Sequence, residues 1–298
     1  MIEVTGGAGF IGSRIVETLR QEHQVMVVDD LSSGSRENVP EEAVLVEKDI
    51  NDLEAGDLED VETVFHFAAN PEVNTFPRNR ERDFRDNAEG TKSVLDACTE
   101  ADVDELVFAS SSVVYGEEAE IPTPETAKFD PISMYAATKC SAEHMCQVYS
   151  QILDLDITIL RYANIVGPRN EKGVIYDFFH KLRDDPEQLE ILGNGKQRKS
   201  YLYIDDAVDA TLKAWKAPGT VYNVGSRDSV SVDEIAEIVS EVMGLDPEFS
   251  YTGGERGWKG DVPEMRLSIE KLEDEGWRPE HDSESSVRKT AEELLEKL

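Results

Sequence analysis

The stretch Thr5-Gly6-Gly7-Ala8-Gly9-Phe10-Ile11-Gly12 lies between the apolar segment Ile2-Glu3-Val4 and a run with helical periodicity, Ser13 to Arg20. This order predicts a strand, a glycine turn and a helix. The glycines at positions 7, 9 and 12 have the spacing of a dinucleotide-binding turn. In such a turn glycine permits a tight bend, close approach of the backbone to a pyrophosphate and close packing of the helix.

The next apolar run indicates which dinucleotide the turn binds. Gln24-Val25-Met26-Val27-Val28 predicts a second strand that ends on Asp29, whose carboxylate is placed to accept hydrogen bonds from both ribose hydroxyls. A carboxylate at this position repels a 2′-phosphate, which favours NAD over NADP. Arg36 leaves NADP open as the alternative.

Strands and helices continue to alternate, and this alternation predicts the fold class. Val44-Leu45-Val46, Val64 to Asn70 and Leu106 to Ala109 are further predicted strands. We therefore predict an α/β protein with a doubly wound parallel sheet of the Rossmann type, joined to a smaller α/β substrate-binding lobe. The last of these strands delivers Ser110-Ser111-Ser112 at its carboxyl end, the edge at which open parallel sheets bind ligands.

Tyr135 and Lys139 lie four residues apart in a helix-forming stretch and therefore face the same way. A tyrosine normally loses its proton near pH 10, but an adjacent Lys⁺ and a cationic nicotinamide would both lower the pKa of the phenol. Tyr135 is then a candidate general base near neutral pH. The hydroxyl of the serine run is available to hydrogen-bond the group that Tyr135 deprotonates.

Composition excludes several classes of partner. The 298 residues are 39% apolar, enough for a large core, and 63 acidic against 30 basic residues give a net charge of -33. Such a surface repels nucleic acid and anionic membranes. With only 14 lysines, the charge favours adaptation to a high-salt cytoplasm over a merely acidic protein.

Cys98, Cys140 and Cys146 form no CxxC pair and are expected to be reduced packing residues. We see no metal-ligand cluster and predict no metal. The chain opens on a strand without a basic and apolar leader, and no later run is long and apolar enough to span a bilayer. These features predict a cytoplasmic protein.

Several motifs together resemble the extended short-chain dehydrogenase/reductase family. Within it, the chain is most similar to the NAD-dependent nucleotide-sugar epimerases, in particular UDP-glucose (UDP-galactose) 4-epimerases of archaeal type. The motifs run nearly end to end: Thr5 to Ser13, Asp29-Asp30-Leu31-Ser32-Ser33-Gly34, Phe67-Ala68-Ala69-Asn70-Pro71, Ser110 to Gly116, Tyr135 to Lys139, Arg161-Tyr162-Ala163-Asn164 and Gly193 to Asp206.

The resemblance assigns roles position by position. It implies that Ser111, Tyr135 and Lys139 are catalytic, with Lys139 binding the nicotinamide ribose. The residues it implies for NAD, besides Tyr135 and Lys139, are Gly6, Gly9, Phe10, Ile11, Gly12, Asp29, Asp30, Leu31, Ser33, Gly34, Asp49, Ile50, Phe67, Ala68, Ala69, Asn87 and Ala163. The residues it implies for the UDP-sugar are Ser111, Tyr135, Asn164, Val174, Gln197, Arg198, Lys199 and Arg256.

The stretch Lys196-Gln197-Arg198-Lys199 places three cations in four residues and predicts a positive patch for a diphosphate. The chain departs from the family here, because the usual Gln-x-Arg-Asp reads Gln197-Arg198-Lys199-Ser200. Either Lys199 or Arg198 could then bind the phosphates. Arg256, in the glycine-rich loop from Gly253 to Asp261, is the second candidate.

We expect residues 1–163 to form the NAD-binding domain and residues 164–298 the sugar-nucleotide lobe, with residues 200–222 returning to the first domain. The resemblance further implies a homodimer built from helices at Asn87–Glu100 and Met134–Leu153.

The resemblance implies C4 epimerisation of a UDP-hexose, plain or N-acetylated, through a transient 4-ketose. Related dehydratases need a carboxylic acid and a carboxylate after the catalytic Ser/Thr, whereas this chain has Ser112 and Val113. Two alternatives remain open: a nucleotide-sugar reductase or dehydrogenase with net NAD(P) turnover, and a catalytically silent NAD-binding regulator.

Overall fold

A computed structural model describes residues 1–71, 80–117, 119–217, 220–258 and 260–297. The strands are β1 (Ile2–Thr5), β2 (Val25–Asp29), β3 (Val44–Glu47), β4 (Thr63–His66), β5 (Glu105–Ser111), β6 (Asp156–Tyr162), β7 (Asn164–Val166), β8 (Gln188–Ile191), β9 (Arg198–Lys199), β10 (Tyr201–Tyr203), β11 (Val221–Val224), β12 (Val230–Ser231), β13 (Glu248–Tyr251) and β14 (Glu264–Met265). The α-helices are α1 (Phe10–Leu19), α2 (Arg80–Phe84), α3 (Gly90–Glu100), α4 (Met134–Ile152), α5 (Val174–Asp184), α6 (Ile204–Trp215), α7 (Val232–Met243), α8 (Glu270–Asp274) and α9 (Ser283–Glu296).

A seven-stranded sheet has the order β11-β6-β5-β4-β1-β2-β3. Strands β3, β2, β1, β4 and β5 pair in parallel, each with its neighbour. The order reverses direction between β1 and β4, and in such sheets ligands bind outside the carboxyl ends of the strands at this point. The predicted doubly wound Rossmann fold is confirmed.

The chain divides into two compact units. The first unit contains residues Met1–Val114, Pro131–Arg161 and Thr211–Tyr222, and the second contains Tyr115–Asp130, Tyr162–Ala210 and Asn223–Leu298.

These limits differ from those expected from sequence in two places. Residues 115–130 belong to the second unit, because Thr123 exchanges backbone hydrogen bonds with Arg266 and Ser268 and its carbonyl accepts a bond from Asn223. Of the expected returning segment 200–222, only residues 211–222 belong to the first unit, and the division falls within α6.

The core of the first unit lies between its sheet and the helices. All four residues of β1 are buried, as expected for a central strand that is covered on both faces. Val28, Val64, Leu95 and Phe108 belong to one buried apolar cluster that also includes Cys98 and Cys146. The three cysteines are buried and free, as predicted.

The second unit has its own core among α5, α7, α9 and β8, centred on buried residues such as Phe178, Leu189 and Ile235. Helix α7 begins with the predicted capping box, in which Ser231 and Glu234 bond each other's backbone amides. It ends at Gly244, whose φ of 68° is the left-handed conformation that favours glycine.

The helix predicted to begin at Asn87 begins earlier. Arg80–Phe84 is α-helical, Arg85–Glu89 forms a π-helical turn, and α3 follows from Gly90. A π turn inserts one residue into the helical ladder and changes the direction of the side chains within it. Asn87, a predicted cofactor residue, lies in this turn.

Candidate active site

The glycine turn fits tightly against the end of β4. Gly6 has a φ of 71°, and a Cβ there would lie 2.5 Å from the backbone nitrogen of Ala68. At Gly12 a Cβ would lie 2.2 Å from the carbonyl oxygen of Gly6. A side chain at either position would therefore push helix α1 away from the turn or the turn away from β4. The predicted residues Phe67, Ala68 and Ala69 lie directly after β4, and Phe67 donates its amide to the Thr5 carbonyl at 3.0 Å.

The amino end of α1 is suited to bind an anion. Its N-cap residue is Gly9, and no side chain in the described part of the chain caps the helix. Among the described residues, a Cβ at Gly9 would meet one atom within 4 Å, the Gly6 oxygen at 3.2 Å. The space beside Gly9, at the end of the helix where the first-turn amides of Phe10 and Ile11 lie, is therefore largely clear of other described atoms. Backbone amides and the helix dipole together favour a pyrophosphate at such a position, and the turn fits the NAD that was predicted.

Asp29 lies at the end of β2 and is 7% exposed. Its Oδ2 accepts the amide of Ala8 at 2.9 Å and its Oδ1 accepts that of Leu31 at 2.8 Å. Burial raises the pKa of this carboxyl, and the two backbone hydrogen bonds oppose the shift. Because a carboxylate offers about four acceptor positions, Asp29 can hold the turn and still accept bonds from ribose hydroxyls.

The loop after β2 closes over the glycine turn. Gly34 lies so near Ala8 that a Cβ would be 2.7 Å from its carbonyl carbon. Asp30 accepts the amide of Ser32 at 2.9 Å, and Ser33 is exposed. Asn38, which the sequence analysis did not identify, donates its side-chain amide to the Ala8 carbonyl at 3.0 Å.

Two arginines near the expected adenosine position are neutralised by carboxylates. Arg36, the residue that left NADP open, pairs with Glu47 at 2.7 Å. Arg85 pairs with Asp49, which also caps the short helix that begins at the buried Ile50. Both pairs are partly exposed and can exchange for other anions, so the preference for NAD rests on the buried carboxylate of Asp29.

Asn87 is fully buried, and its side chain hydrogen-bonds two other polar residues, Asn70 and Thr138. Its Oδ1 accepts the Asn70 amide at 2.7 Å, and its Nδ2 donates to Thr138 Oγ1 at 3.2 Å. Thr138 in turn donates to the Tyr135 carbonyl at 2.9 Å. The structure therefore links Asn87 to the first turn of α4, one step behind the predicted base.

Ser111, Tyr135 and Lys139 come together in the first unit. Ser111 is the last residue of β5, and the side chain of Ser133 caps α4 by accepting the Ala136 amide at 3.1 Å, which places Tyr135 in the first helical turn. Ser111 is hydrogen-bonded to the Tyr135 hydroxyl. Lys139 is buried, donates from Nζ to the Ala109 carbonyl at 2.8 Å and lies 4.9 Å from the centroid of the Phe108 ring.

The protonation states differ from those expected from the motif. Burial raises the pKa of Tyr135 to about 12, although the hydrogen bond from Ser111 lowers it. Burial lowers the pKa of Lys139 to about 8. In the protein alone desolvation outweighs the Ser111 hydrogen bond, and the positive charge of a bound nicotinamide would act to lower the Tyr135 pKa.

His66, in β4, connects this group to the glycine turn. Its ring nitrogens contact Thr5 Oγ1 at 2.7 Å and Thr91 Oγ1 at 3.1 Å. Burial, and then the charge of Lys139, lowers the pKa of His66 to about 3, so the ring is neutral. His66 is a hydrogen-bonded core residue, and no group of His, Cys, Asp and Glu in the described ranges is arranged to hold a metal.

In the second unit two of the three cations of the predicted positive patch are paired with carboxylates. Adjacent residues of a strand face opposite sides, and the two cations of β9 end on different partners. Arg198 donates to the Ser229 carbonyl at 2.7 Å and pairs with Glu234 at 3.0 Å. Lys199 pairs with Asp261, which is 5% exposed.

Arg256 reaches the same carboxylate-bearing loop as Lys199. Its Nη1 donates to the Asp261 carbonyl at 2.6 Å, and its guanidinium also pairs with both oxygens of Glu117. Sequence reasoning missed Asp261 and Glu117, because no sequence signal relates them to Lys199 and Arg256 over separations of 62 and 139 residues.

The remaining predicted residues of the second unit have structural contacts. Asn164 begins β7 and donates to the Ser200 carbonyl at 3.0 Å, and Ala163 donates its amide to Val224 at 2.8 Å. Val174 is the first residue of α5. Gln197 is 3% exposed, and its Nε2 donates to the Leu192 carbonyl at 3.3 Å, whereas its Oε1 has no hydrogen-bond partner among the described residues.

Comparison with known proteins gives concordant results. A family model described as the NAD dependent epimerase/dehydratase family matches residues 2–225. A putative UDP-glucose 4-epimerase of Methanocaldococcus jannaschii is 34% identical over 298 residues, which cover 97% of this chain and 96% of that protein.

Solved structures agree over the whole length. The crystal structure of a UDP-galactose 4-epimerase has a TM-score of 0.91 at 46% identity, covering 100% of this chain and 99% of that one. A UDP-glucose 4-epimerase of Thermotoga maritima, solved with UDP-glucose, has a TM-score of 0.92 at 34% identity, covering 99% of both chains.

Proposed function

The chain belongs to the NAD-dependent epimerase/dehydratase family, and we propose that it interconverts UDP-glucose and UDP-galactose by inversion at C4. The resemblance that the motifs indicated is confirmed, and so are the epimerase class of the enzyme and NAD as its cofactor. The substrate and the route through a 4-ketose are our proposal.

The observation that carries the proposal is the arrangement of Ser111, Tyr135 and Lys139 at the carboxyl end of β5. A phenol hydrogen-bonded to a serine, with a buried ammonium one helical turn away, is a proton-transfer site for an alcohol. Packing connects Lys139 to the glycine turn, because the Phe108 ring lies near both Lys139 and His66, and His66 contacts Thr5. We therefore assign the proton-transfer groups and the dinucleotide turn to one site in the first unit.

Each residue has a defined step in the proposed reaction. Tyr135 as phenolate takes the proton of the C4 hydroxyl, and the C4–O bond becomes a carbonyl as the hydride leaves C4. Bound NAD supplies the acceptor and later the donor of that hydride. Ser111 hydrogen-bonds the reacting oxygen, and the charge of Lys139 stabilises the phenolate. Tyr135 returns its proton when C4 is reduced from the opposite face, so the cycle has no net redox change.

The residues after Ser111 favour epimerisation over dehydration. Elimination at C5 and C6 requires one group that donates a proton and one that accepts a proton. Ser112 is buried and Val113 is apolar, and neither side chain performs such a transfer near neutral pH. The 4-ketose then has reduction as its onward route.

We assign the diphosphate to Lys199 and Arg256 rather than to Arg198. The first two converge on Asp261, whereas Arg198 is directed to the amino end of α7. A diphosphate carries negative charge like the carboxylates that these cations contact, and can exchange for them.

The test of the proposed function is incubation of the purified protein with UDP-glucose or UDP-galactose in molar KCl, followed by chromatography of the sugars. We expect the same equilibrium mixture from either substrate without consumption of added NAD(P)H. Net oxidation or reduction in step with product would favour the dehydrogenase alternative, and no conversion of either sugar would favour the silent regulator. UDP-N-acetylglucosamine in a parallel reaction tests the N-acetylated substrate class.

We also propose the homodimer that the resemblance implied. It is supported by exposed apolar side chains near the end of α4, where Val148, Ile152 and Leu153 are 52%, 70% and 50% exposed. An exposed apolar patch of this kind on a strongly acidic protein is suited to contact the same patch on a second copy of the chain. Sedimentation at micromolar concentration should show a dimer that Val148→Asp dissociates, and a monomer in the unsubstituted protein would contradict the proposal.

The charge of -33 supports a further proposal, that the protein works in a high-salt cytoplasm. Repulsion between carboxylates opposes the compact state unless cations screen it. Circular dichroism should show loss of structure in dilute buffer and its recovery in molar KCl, and an unchanged fold and activity at low salt would contradict this proposal. In the described ranges no helix has the length and apolar character of a membrane span.

A further inference from the structure

Glu143 is a buried carboxylate one helical turn after Lys139 on α4. It is 0% exposed, and three side-chain groups bind it. Arg161 Nε lies 3.1 Å from both oxygens, Arg161 Nη2 lies 2.7 Å from Oε2, and the Ser110 hydroxyl donates to Oε1. Arg161 is itself 3% exposed.

Stability alone is a weak reason for such a pair. Desolvation of two buried charges commonly cancels their attraction, and apolar residues of similar volume often stabilise a fold equally well. What a buried ion pair adds is a fixed relative position of the elements that it joins. Glu143 and Arg161 connect α4 to the carboxyl end of β5 and to β6, and each bond has a fixed geometry.

The contacts lead directly to the proposed catalytic group. On α4, Lys139 donates to the carbonyl of Ala109 and Glu143 accepts from the hydroxyl of Ser110. Ser111, the next residue of β5, hydrogen-bonds Tyr135 on the same helix. Two successive turns of α4 thus hold the two residues that precede Ser111.

We propose that Glu143, held by Arg161, is a positioning residue that fixes Ser110, and through it Ser111, against Tyr135. This inference rests on the proposed function for its kinetic consequence. Glu143 acts through Ser110 and Lys139 and has no assigned contact with substrate or cofactor.

The charge on Lys139 depends on few neighbours. Burial lowers its pKa to about 8, and Cys146 and Glu143 oppose this shift. Burial also raises the pKa of the Cys146 thiol, which is therefore neutral near pH 7, so Glu143 is the charged one of these two. The titratable and charged groups that face Lys139 or its partner are Glu143 and Cys146 on α4, the neutral His66 on β4, Tyr135 one turn before it, and Arg161 on β6 through Glu143.

The sign of the effect follows from these neighbours. Loss of the Glu143 charge removes an interaction that favours the protonated ammonium, so Lys139 loses its proton at a lower pH. The alkaline limb of the kcat profile, where Lys139 becomes neutral, then moves to lower pH. Removal of the Ser110 hydroxyl leaves the charges in place and disturbs the position of Ser111 alone.

The experiment compares Glu143→Gln, Ser110→Ala and the matched control Glu105→Gln. Glu105 lies at the other end of β5, where its carboxylate accepts bonds from Thr63 and Trp215. We expect Glu143→Gln to lower kcat about 10- to 100-fold and to shift the alkaline limb to lower pH, whereas Ser110→Ala lowers kcat about tenfold without that shift. Glu105→Gln should leave kcat and the position of the alkaline limb of the pH profile unchanged.

A further variant separates positioning from folding. Glu143→Leu combined with Arg161→Met leaves no unpaired buried charge, and we expect it to fold with near-normal stability while kcat stays low. Normal kcat in this folded double variant, or an unshifted limb in Glu143→Gln, would overturn the proposal.

Titration of Lys139 by NMR of 13Cε-labelled lysine, assigned with Lys139→Met, needs no turnover. If wild type fails to epimerise yet Glu143→Gln lowers the Lys139 midpoint, the proposed function fails and the electrostatic role stands. If the enzyme epimerises but Glu143→Gln leaves the Lys139 midpoint unchanged, the proposed function stands and the electrostatic role of Glu143 fails.

Discussion

Lys139 in the first unit and Lys199 in the second are both lysines of a predicted site, but they are held differently. Lys139 is buried, donates to a backbone carbonyl and lies near an aromatic ring. The Lys199 side chain is 24% exposed and pairs with the carboxylate of Asp261. The nearby Arg256 side chain is 42% exposed and pairs with Glu117. The first unit fixes its groups by burial before any ligand binds, whereas the second keeps its cations on anionic partners that a ligand can replace.

The largest expected effect tests the fixed site of the first unit. Tyr135→Phe removes the proposed base and should lower the epimerisation rate by roughly two to four decades, because general base catalysis contributes about that much. NAD binding should persist because the glycine turn is unchanged, and quenching of intrinsic fluorescence measures it. Full epimerase activity in this variant would show that the assignment of the base is wrong.

The first unit also contains a buried carboxyl group, that of Glu3, which lowers the stability of the folded protein. Glu3 on β1 is fully buried, and neither carboxylate oxygen has a hydrogen-bond partner among the described residues. Burial, and then Asp57, raises the pKa of Glu3 to about 8, against a smaller opposing effect of Lys48. The native state therefore holds a proton that the unfolded chain loses above its own, lower pKa.

Stability should consequently fall as pH rises from the unfolded to the folded pKa of Glu3. Between pH 6 and 8 we expect a loss of about 2 to 3 kcal/mol that Glu3→Met does not show, since one pKa unit corresponds to about 1.4 kcal/mol. Denaturant unfolding in molar KCl at both pH values measures it. The exposed Glu62→Met is the control, and equal pH dependence in wild type and Glu3→Met would contradict the argument.

The exchangeable cations of the second unit are tested by Lys199→Met against Arg198→Met. Loss of a charge-assisted contact to the diphosphate should raise KM for the UDP-sugar about 10- to 100-fold in the first variant and leave it nearly unchanged in the second. Lys199→Arg should restore binding. Since Lys199→Met also leaves Asp261 unpaired, melting temperatures must accompany the kinetics. A raised KM in Arg198→Met alone would reverse the assignment.

The smallest expected effect concerns Glu117, which pairs with Arg256 at a partly exposed position. Because exposed ion pairs contribute about 0 to 1 kcal/mol, Glu117→Gln should change the unfolding free energy by less than about 1 kcal/mol. It should lower KM slightly, since Arg256 no longer has to leave a carboxylate to reach the substrate. A large loss of stability would show that the pair is structural and that the two regions are less different than described.

Local patterns predicted the fold well because each element was specified by adjacent residues. The turn from Gly6 to Gly12 was predicted, and the structure shows that Cβ atoms at its ends would collide with backbone. The capping box at Ser231 and the strand β1 were also predicted from adjacent residues, and the structure contains both. The domain limits were not, because residues 115–130 join the second unit through partners more than 90 residues away in sequence, such as Asn223.

The sequence by itself determined that Tyr135 and Lys139 would face the same way, because a four-residue helical spacing is a local property, and the family resemblance implied that Ser111 joins them. Only the tertiary structure decided their electrostatic environment. Burial shifts the pKa values of Tyr135 and Lys139, and Glu143 and Arg161 assemble beneath them from different elements. The same holds for Lys199, which read as part of a positive patch until Asp261 was placed beside it. Desolvation and charge pairing depend on which distant residues are packed together, and a linear pattern does not contain that information.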